Sequence, residues 1–397
     1  MISIEKALAI ISRQTKPLSS SSVSLNESLG RVLVEDIIAD SDLPPFDRSQ
    51  MDGYALKAAD TTNAPVELRI VGEAAAGKGW HNTLKRGEAV RIMTGGPVPK
   101  GANSVQKVEL AKESNGTVHI LEPTETGRFI VKKGAEVKKG KKVLKKGEAL
   151  TVLNISLAAA FGCARVKVSK RPRVAIFTTG TEIVDIHKKP KADQIRNTNS
   201  VMLASLCEAA GAEVTVYPTV GDDISGLRTQ IREAAAKADI LVTTGGVSVG
   251  KYDLTKIAFK ELGADIFFER VALKPGKPTV FGRFGQTLIF GLPGNPVSAA
   301  VTFFLFVRKA ILLMQSALDT DLREGRARSI GAMKGTKERD SYLPAILTES
   351  NDGSRMVKPV EWKGSSDIVG FSKAGALVYV PRGTRIDIDD VAKILYL

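Results

Sequence analysis

Cysteine and histidine are scarce in this chain. Two cysteines in 397 residues, Cys163 and Cys207, leave no room for a disulfide framework and suit a reducing cytoplasm. The three histidines, His81, His119 and His187, show no H-x-x-x-H or H-E-x-x-H spacing, so a zinc site is not expected and any metal must be held by carboxylates. A long apolar run is missing as well. The greasiest stretch, "PVSAAVTFFLFVRKAILLM", meets Arg308 and Lys309 before it reaches the ~18 to 20 residues that a membrane span needs, and it reads as a buried helix. The N-terminal "MISIEKALAIISRQTK" has an acidic amphipathic pattern in place of an export signal. A cytoplasmic protein with no membrane partner is therefore expected.

Acidic charge is the minority sign: 43 Asp and Glu face 57 Lys and Arg, for a formal charge of +14. Such an excess favours an anionic partner. Eight lysines fall between Lys132 and Lys146 in "VKKGAEVKKGKKVLKKGEAL", interrupted by glycines and apolar residues. That pattern reads as a solvated strand-and-turn surface. Nucleic acid is the competing reading, but no RNP, zinc-finger or basic-zipper pattern accompanies the run, so no nucleic-acid partner is expected.

The length calls for several domains. Helical periodicity up to residue 38 is broken by Pro44 and Pro45, and short alternating runs such as "VELRIVG" and "TVHILEP" then read as a small β domain, after which "NISLAAAFG" resumes helical spacing. From Arg173 the rhythm becomes strand, glycine loop, helix, the pattern of a parallel, doubly wound sheet whose ligand loops lie at the carboxyl ends of its strands. Those loops are "TTGTE", "GDD", "TTGGVSVGKYD" and "GLPGNP". After Ser316 short runs such as "ALVYVP" and "KILYL" predict a terminal β-barrel.

The loops carry the chemistry. In "TTGGVSVGKYD", Gly245, Gly250 and Lys251 fit an ATP-binding G-x-x-x-x-G-K, yet Tyr252 stands where Ser or Thr should hold Mg²⁺. Glycines between strand and helix still let backbone N–H groups approach an anion, or they merely make a tight turn. In "LKPGKPTVFG", Pro275 and Pro278 stiffen a backbone that carries Lys274 and Lys277, a pair suited to an oxyanion or pyrophosphate. In "GLPGNPVSAAV", Gly294 and Asn295 precede a helix that starts at Pro296 with Ser298 in its first turn, an open anion-accepting end or an ordinary cap. Glu182, Asp222, Asp223 and Asp253 recur beside these loops, and carboxylates of this kind hold Mg²⁺ together with substrate phosphates.

Six segments, "PPFDRSQMDGYA", "RIMTGGPVPKGANSVQKVE", "QIRNTN", "TTGGVSVGKYD", "LKPGKPTVFG" and "GLPGNPVSA", occur in the order found in molybdopterin molybdotransferases, the MoeA family that includes the E domain of gephyrin. The chain resembles that family over nearly its whole length. The resemblance implies a multidomain α/β plus β fold: an elongated helical/linker domain (1–38 and 137–170), an inserted β domain (39–136), a doubly wound α/β molybdopterin-binding domain (171–317) and a C-terminal β-barrel (318–397). It makes Lys251 a variable position and Asp253 the functional one. The implied activity is insertion of molybdate, as substrate, into adenylylated molybdopterin with release of AMP. The implied protein partners are a second copy of the chain, in a homodimer, and a molybdopterin adenylyltransferase.

By the same implication Glu182, Asp222 and Asp253 organise Mg²⁺ and phosphate, while Asp52 and Thr94 reach the cleft from the second subunit. Lys274 and Lys277 act on the charged substrate. The loops Gly245, Gly246, Ser248 and Gly250, Pro275 and Gly276, and Gly294 to Pro296 with Ser298 bind it, joined by Arg339 and Ser365. Asn103, Ala135 and Thr181 stand where the family pattern carries acids, which leaves a non-catalytic binding or scaffold paralogue as the alternative.

Overall fold

The computed structural model describes residues 1–221, 223–246 and 254–397. By contacts the chain forms two compact units, Met1–Glu35 with Lys146–Val152 and Arg165–Leu397, and Asp36–Lys145 with Leu153–Ala164.

The first unit is built on a six-stranded sheet in the order Glu213–Val216, Arg173–Thr178, Ile240–Thr244, Thr287–Leu292, Val280–Phe284, Asp265–Phe268. Alternation along each strand sends side chains to two different cores. Val174, Ile176, Ile240, Val242 and Phe290 join Leu203 and Cys207 of helix Thr198–Ala209 on one face, with Ile4, Ala7 and Ile11 of the N-terminal helix Ile4–Gln14. Ala175, Phe177, Leu241 and Ile289 meet Leu227 and Ile231 of helix Ile224–Ala235 and Phe259 of helix Leu254–Glu261 on the other. The sheet is thus wound on both faces, as the glycine-loop rhythm predicts. It is parallel only through its first four strands, however. Phe284 pairs with Thr287 across a two-residue turn with Gly285 at φ +60°, so the chain doubles back and Val280–Phe284 pairs antiparallel with both its neighbours.

The apolar segment after Pro296 forms a helix of 19 residues, Pro296–Met314, and among the described residues it is the one helix long and apolar enough to cross a membrane. Arg308 and Lys309 do not end it. Arg308 reaches the carbonyl of Thr320 at 3.0 Å and Lys309 pairs with Asp321 at 2.6 Å, so both carry their charge out while Val301, Phe303, Phe306 and Ile311 are buried in the core. The helix is buried because of these contacts and not because it is short.

The C-terminal strands Glu324–Ser329, Asp340–Glu349, Arg355–Pro359, Ala376–Val380 and Val391–Tyr396 close on themselves into a five-stranded barrel, through pairing of Asp340–Glu349 with Ala376–Val380. In the second unit a six-stranded sheet runs Ser104–Lys107, Gly53–Leu56, Glu88–Ile92, Val66–Ala74, Thr117–Ile120, Ala111–Ser114, with a small core on each face. The segments read as helical in sequence hold α-helix only at Ile4–Gln14 and Val152–Ala160. Elsewhere they pair as short strands, Ser20–Ser24 with Arg165–Ser169 and Ile37–Ile38 with Lys142–Leu144.

Candidate active site

The turn that carries the two candidate lysines is fixed from several sides. Leu273–Lys274 runs parallel to Asp340–Ser341, and the N–H of Asp340 donates to the carbonyl of Ala272 at 3.0 Å, which places Arg339 beside the turn. Within it, the N–H of Val271 donates to Lys277 O at 3.0 Å and Thr279 Oγ1 donates to Gly276 O at 2.7 Å. Gly276 has φ +121°, and a Cβ there would lie 2.5 Å from Thr302 Cγ2 of the buried helix, so only glycine lets the turn sit this close. Pro275 and Gly276 are buried as a result, while Lys274 is half-buried and Lys277 exposed. The guanidinium of Arg339 leans on the same turn, Nη1 to Leu273 O, at 3.4 Å.

Opposite lies the start of helix Pro296–Thr302, preceded by Asn295. Asn295 does not cap its own helix with its side chain; its Nδ2 donates to Ser365 Oγ at 2.8 Å. The N–H of Val297 donates to Ser365 O at 3.1 Å, so this helix end, read as open in the sequence, is partly occupied by the Ser365 loop. Together these elements enclose a cleft of about 470 Å³ lined by Lys274, Pro275, Gly276, Lys277, Asn295, Ser298, Arg339 and Ser365. Trp362 lines it too and was not foreseen. Among the described residues no carboxylate lies within ion-pairing distance of Lys274, Lys277 or Arg339. Three cations thus line one concavity with no counter-charge among the described residues.

Asn295 also lines a second cleft of about 220 Å³ with Glu182, Gly245, Gly294 and Pro296. Two glycine loops abut here: a Cβ on Gly294 would stand 3.6 Å from Gly245 Cα. Asn199, missed as a site residue although its motif was read, bolts them together, its Nδ2 donating to Thr244 Oγ1 at 2.9 Å and to Gly294 O at 2.7 Å. Asn199 Oδ1 and the hydroxyl of Thr179 are buried without a partner among the described residues. The Glu182 side chain is exposed at the rim and makes no ion pair among them. Asp223 is committed elsewhere, capping helix Ile224–Ala235 through Ser225 N at 3.0 Å and Gly226 N at 2.8 Å. Gly246, at φ +61°, packs against Thr179 and Thr255 and does not line either cleft. Asp222, Ser248, Gly250 and Asp253 lie outside the described residues, as do Lys251 and Tyr252. Among the described residues no group of three His, Cys, Asp or Glu side chains stands ready to hold a metal ion.

In the second unit, Asp52 and Thr94 meet each other. Asp52 Oδ1 accepts the Thr94 N–H at 2.6 Å and its hydroxyl at 2.9 Å. These two donors, the backbone one first, hold the Asp52 carboxyl below the usual carboxylate range.

Three family descriptions match the chain: "MoeA N-terminal region (domain I and II)" over residues 2–162, "Probable molybdopterin binding domain" over 175–312 and "MoeA C-terminal region (domain IV)" over 326–390. The molybdopterin molybdenumtransferase of Staphylococcus aureus is 34% identical over 388 residues, spanning 97% of this chain and 92% of that protein. Its counterpart in Bacillus subtilis is 34% identical over 394 residues, spanning 97% and 91%. A crystal structure of a molybdopterin biosynthesis moeA protein from Pyrococcus horikoshii superposes with a TM-score of 0.86 at 28% identity, with all of both chains covered.

Proposed function

The chain belongs to the MoeA family of molybdopterin molybdenumtransferases, and from that premise we propose that it inserts molybdate into adenylylated molybdopterin with magnesium-dependent release of AMP. The observation that carries this reading is the cleft lined by Lys274, Lys277 and Arg339, three cations with no acid among the described residues to neutralise them. A tetrahedral oxyanion and a pyrophosphate are both dense in negative charge, and preorganised cations in a concavity stabilise such charge without reorganising. Lys274 and Lys277 supply point charges from a rigid turn, and Arg339 a planar fork. Asn295 lines both clefts, so it can hold the oxyanion side and the phosphate side in register.

Oxygen donors suit Mg²⁺. Glu182, exposed beside the second cleft and without an ion pair among the described residues, fits that chemistry, and Asp222 and Asp253 would complete the set. When bound, Mg²⁺ would neutralise charge on the phosphate oxygens and favour departure of AMP. We place Asp52 and Thr94 at the same site in a homodimer, from the partner subunit. The apolar helix Val152–Ala160 supports self-association, because Val152 is 69% and Leu153 80% exposed. A molybdopterin adenylyltransferase would supply the substrate, and the finer division of the chain into four domains belongs to this same proposal.

The scaffold alternative rested on lost acids, and one of those positions and the neighbour of another have work of their own. Asn103 Oδ1 accepts the Ala58 N–H at 2.8 Å, which an asparagine does as well as an aspartate, and Glu136 pairs with Arg48 at 3.3 Å. Incubation of the purified chain with adenylylated molybdopterin, Mg²⁺ and molybdate is expected to release AMP in step with molybdenum incorporation. Tight binding without AMP release would establish the scaffold instead. Asp253→Asn is expected to cut turnover while the protein stays folded.

A further inference from the structure

The residues that lead into helix Ile4–Gln14 are tied to the segment that carries the first cleft lysine. The Ile2 N–H donates to Arg270 O at 3.0 Å and Ile2 O accepts the Ala272 N–H at 2.8 Å, so Ile2 and Val271 form an isolated parallel bridge. Lys274 lies two residues beyond Ala272. A segment that precedes a helix takes no part in the helix's own hydrogen bonding and is poorly ordered unless something ties it down. Here two backbone bonds do so. Ile2 is half-buried against the core, and Ile4, Ala7 and Ile11 behind it are buried.

Ala272 is shared between this bridge and the barrel. Its N–H goes to Ile2 while its carbonyl accepts the Asp340 N–H at 3.0 Å, and Leu273 O accepts Arg339 Nη1 at 3.4 Å. The same three residues, Val271 to Leu273, thus connect Ile2 to Lys274 and to Arg339. A further link closes the circuit: Asp340 Oδ1 accepts the Arg382 N–H at 2.9 Å, and the charge of Arg382 acts on Glu5 in the first turn of the helix. Val271 and Leu273 are fully buried and Ala272 nearly so, which makes water a poor substitute for Ile2. Without the bridge, Arg270 O and the Ala272 N–H lose these partners, and of the two attachments at Ala272 only the one to the barrel is left.

We propose that Ile2 is a positioning residue for the transfer reaction, its backbone bridge to Arg270 and Ala272 fixing Lys274 relative to Arg339. The proposal rests on the transferase reading above and deepens it, since Ile2 lines neither cleft and acts through Lys274. Charge that develops in the transition state is stabilised by cations already in place, so a displaced lysine turn costs turnover more than binding. Ile2→Pro removes the N–H that Arg270 O accepts and keeps the carbonyl that Ala272 uses. In the full-length protein it is expected to lower kcat for AMP release by about tenfold with KM within about twofold, whereas Ile2→Val, which keeps both bonds, should match the wild type.

Lys274→Ala supplies the background that separates positioning from general support. Once that lysine is gone, Ile2→Pro should cost about twofold or less, because the two residues act as one unit. An equal fold loss from Ile2→Pro in both backgrounds, or a loss shared by Ile2→Val, overturns the proposal. Where Ile2→Pro does not fold, the wild type decides: saturating molybdate should slow amide exchange over residues 271–273 by about fivefold or more, and an unchanged rate overturns the coupling of bridge and cleft. The two failures are distinguishable. A wild type that releases no AMP removes the transferase reading, whereas one that releases AMP while Ile2→Pro costs the same with and without Lys274 removes only the positioning role.

Discussion

Two basic regions of this molecule can be set side by side. The run from Lys132 to Lys146 holds eight lysines, all exposed, and Lys132, Lys133 and Lys142 rest against Asp47, Asp42 and Asp36 at 2.8, 3.6 and 2.5 Å. The cleft holds only Lys274, Lys277 and Arg339, none with an acid beside it among the described residues. Exposed pairs contribute little and are screened by salt. Cations on a rigid turn inside a concavity are different, because nothing among the described residues neutralises their charge. On the reading proposed above, confinement and the lack of an acid among the described residues, more than the number of lysines, mark where an anion binds.

The sharpest way to break that contrast is to remove charge from each region. Lys274→Ala with Lys277→Ala is expected to lower kcat/KM for AMP release by about 10²-fold or more. Removing three lysines from the run, Lys138→Ala, Lys139→Ala and Lys141→Ala, should leave it within about twofold. Comparable losses from the two sets would end the distinction. A backbone version follows. Gly276→Val meets Thr302 at a forbidden φ and should cost about 2 kcal/mol or more in urea denaturation. Gly140→Val, at φ +83° with nothing within 4 Å, should cost about 1 kcal/mol from φ alone.

Period-two strands and glycine loops made the wound sheet legible in sequence, since they report burial on two faces and need no distant information. Three things were hidden. The hairpin at Gly285 reverses the strand Val280–Phe284 against both its neighbours, and the apolar runs of parallel and antiparallel buried strands look alike. The first helix is real, but apolar spacing around Leu25 to Ile37 that suits a helix also suits short strands, and pairing with residues more than a hundred positions away decided the matter. Site residues on glycine and lysine loops stood out locally, and Lys274, Lys277, Arg339 and Ser365 do share one cleft. Asn199 did not stand out, because its role is a contact with Gly294, 95 residues on, and Trp362 is placed by the barrel.

The lysine run can also be examined for nucleic acid. Binding of a short DNA duplex should be weak at low salt and vanish near 0.15 M, because exposed lysines without stacking or groove-reading groups offer only screened attraction. Retention of binding with a shallow salt slope would mean that the run is a site after all.

The smallest effect concerns an acid held by donors instead of cations. The Asp52 carboxyl is depressed first by the Thr94 N–H and then by its hydroxyl. A depressed folded value means that its contribution is present above the unfolded value and lost as pH falls through the folded one. Thr94→Val removes only the second donor, so the Asp52 titration, followed by NMR, should move up toward the ordinary value of 3.8 without reaching it, and the acid limb of stability should become shallower and end at slightly higher pH. An unmoved titration would show that the backbone N–H alone sets this acid. The threonine hydroxyl would then be free to serve a ligand.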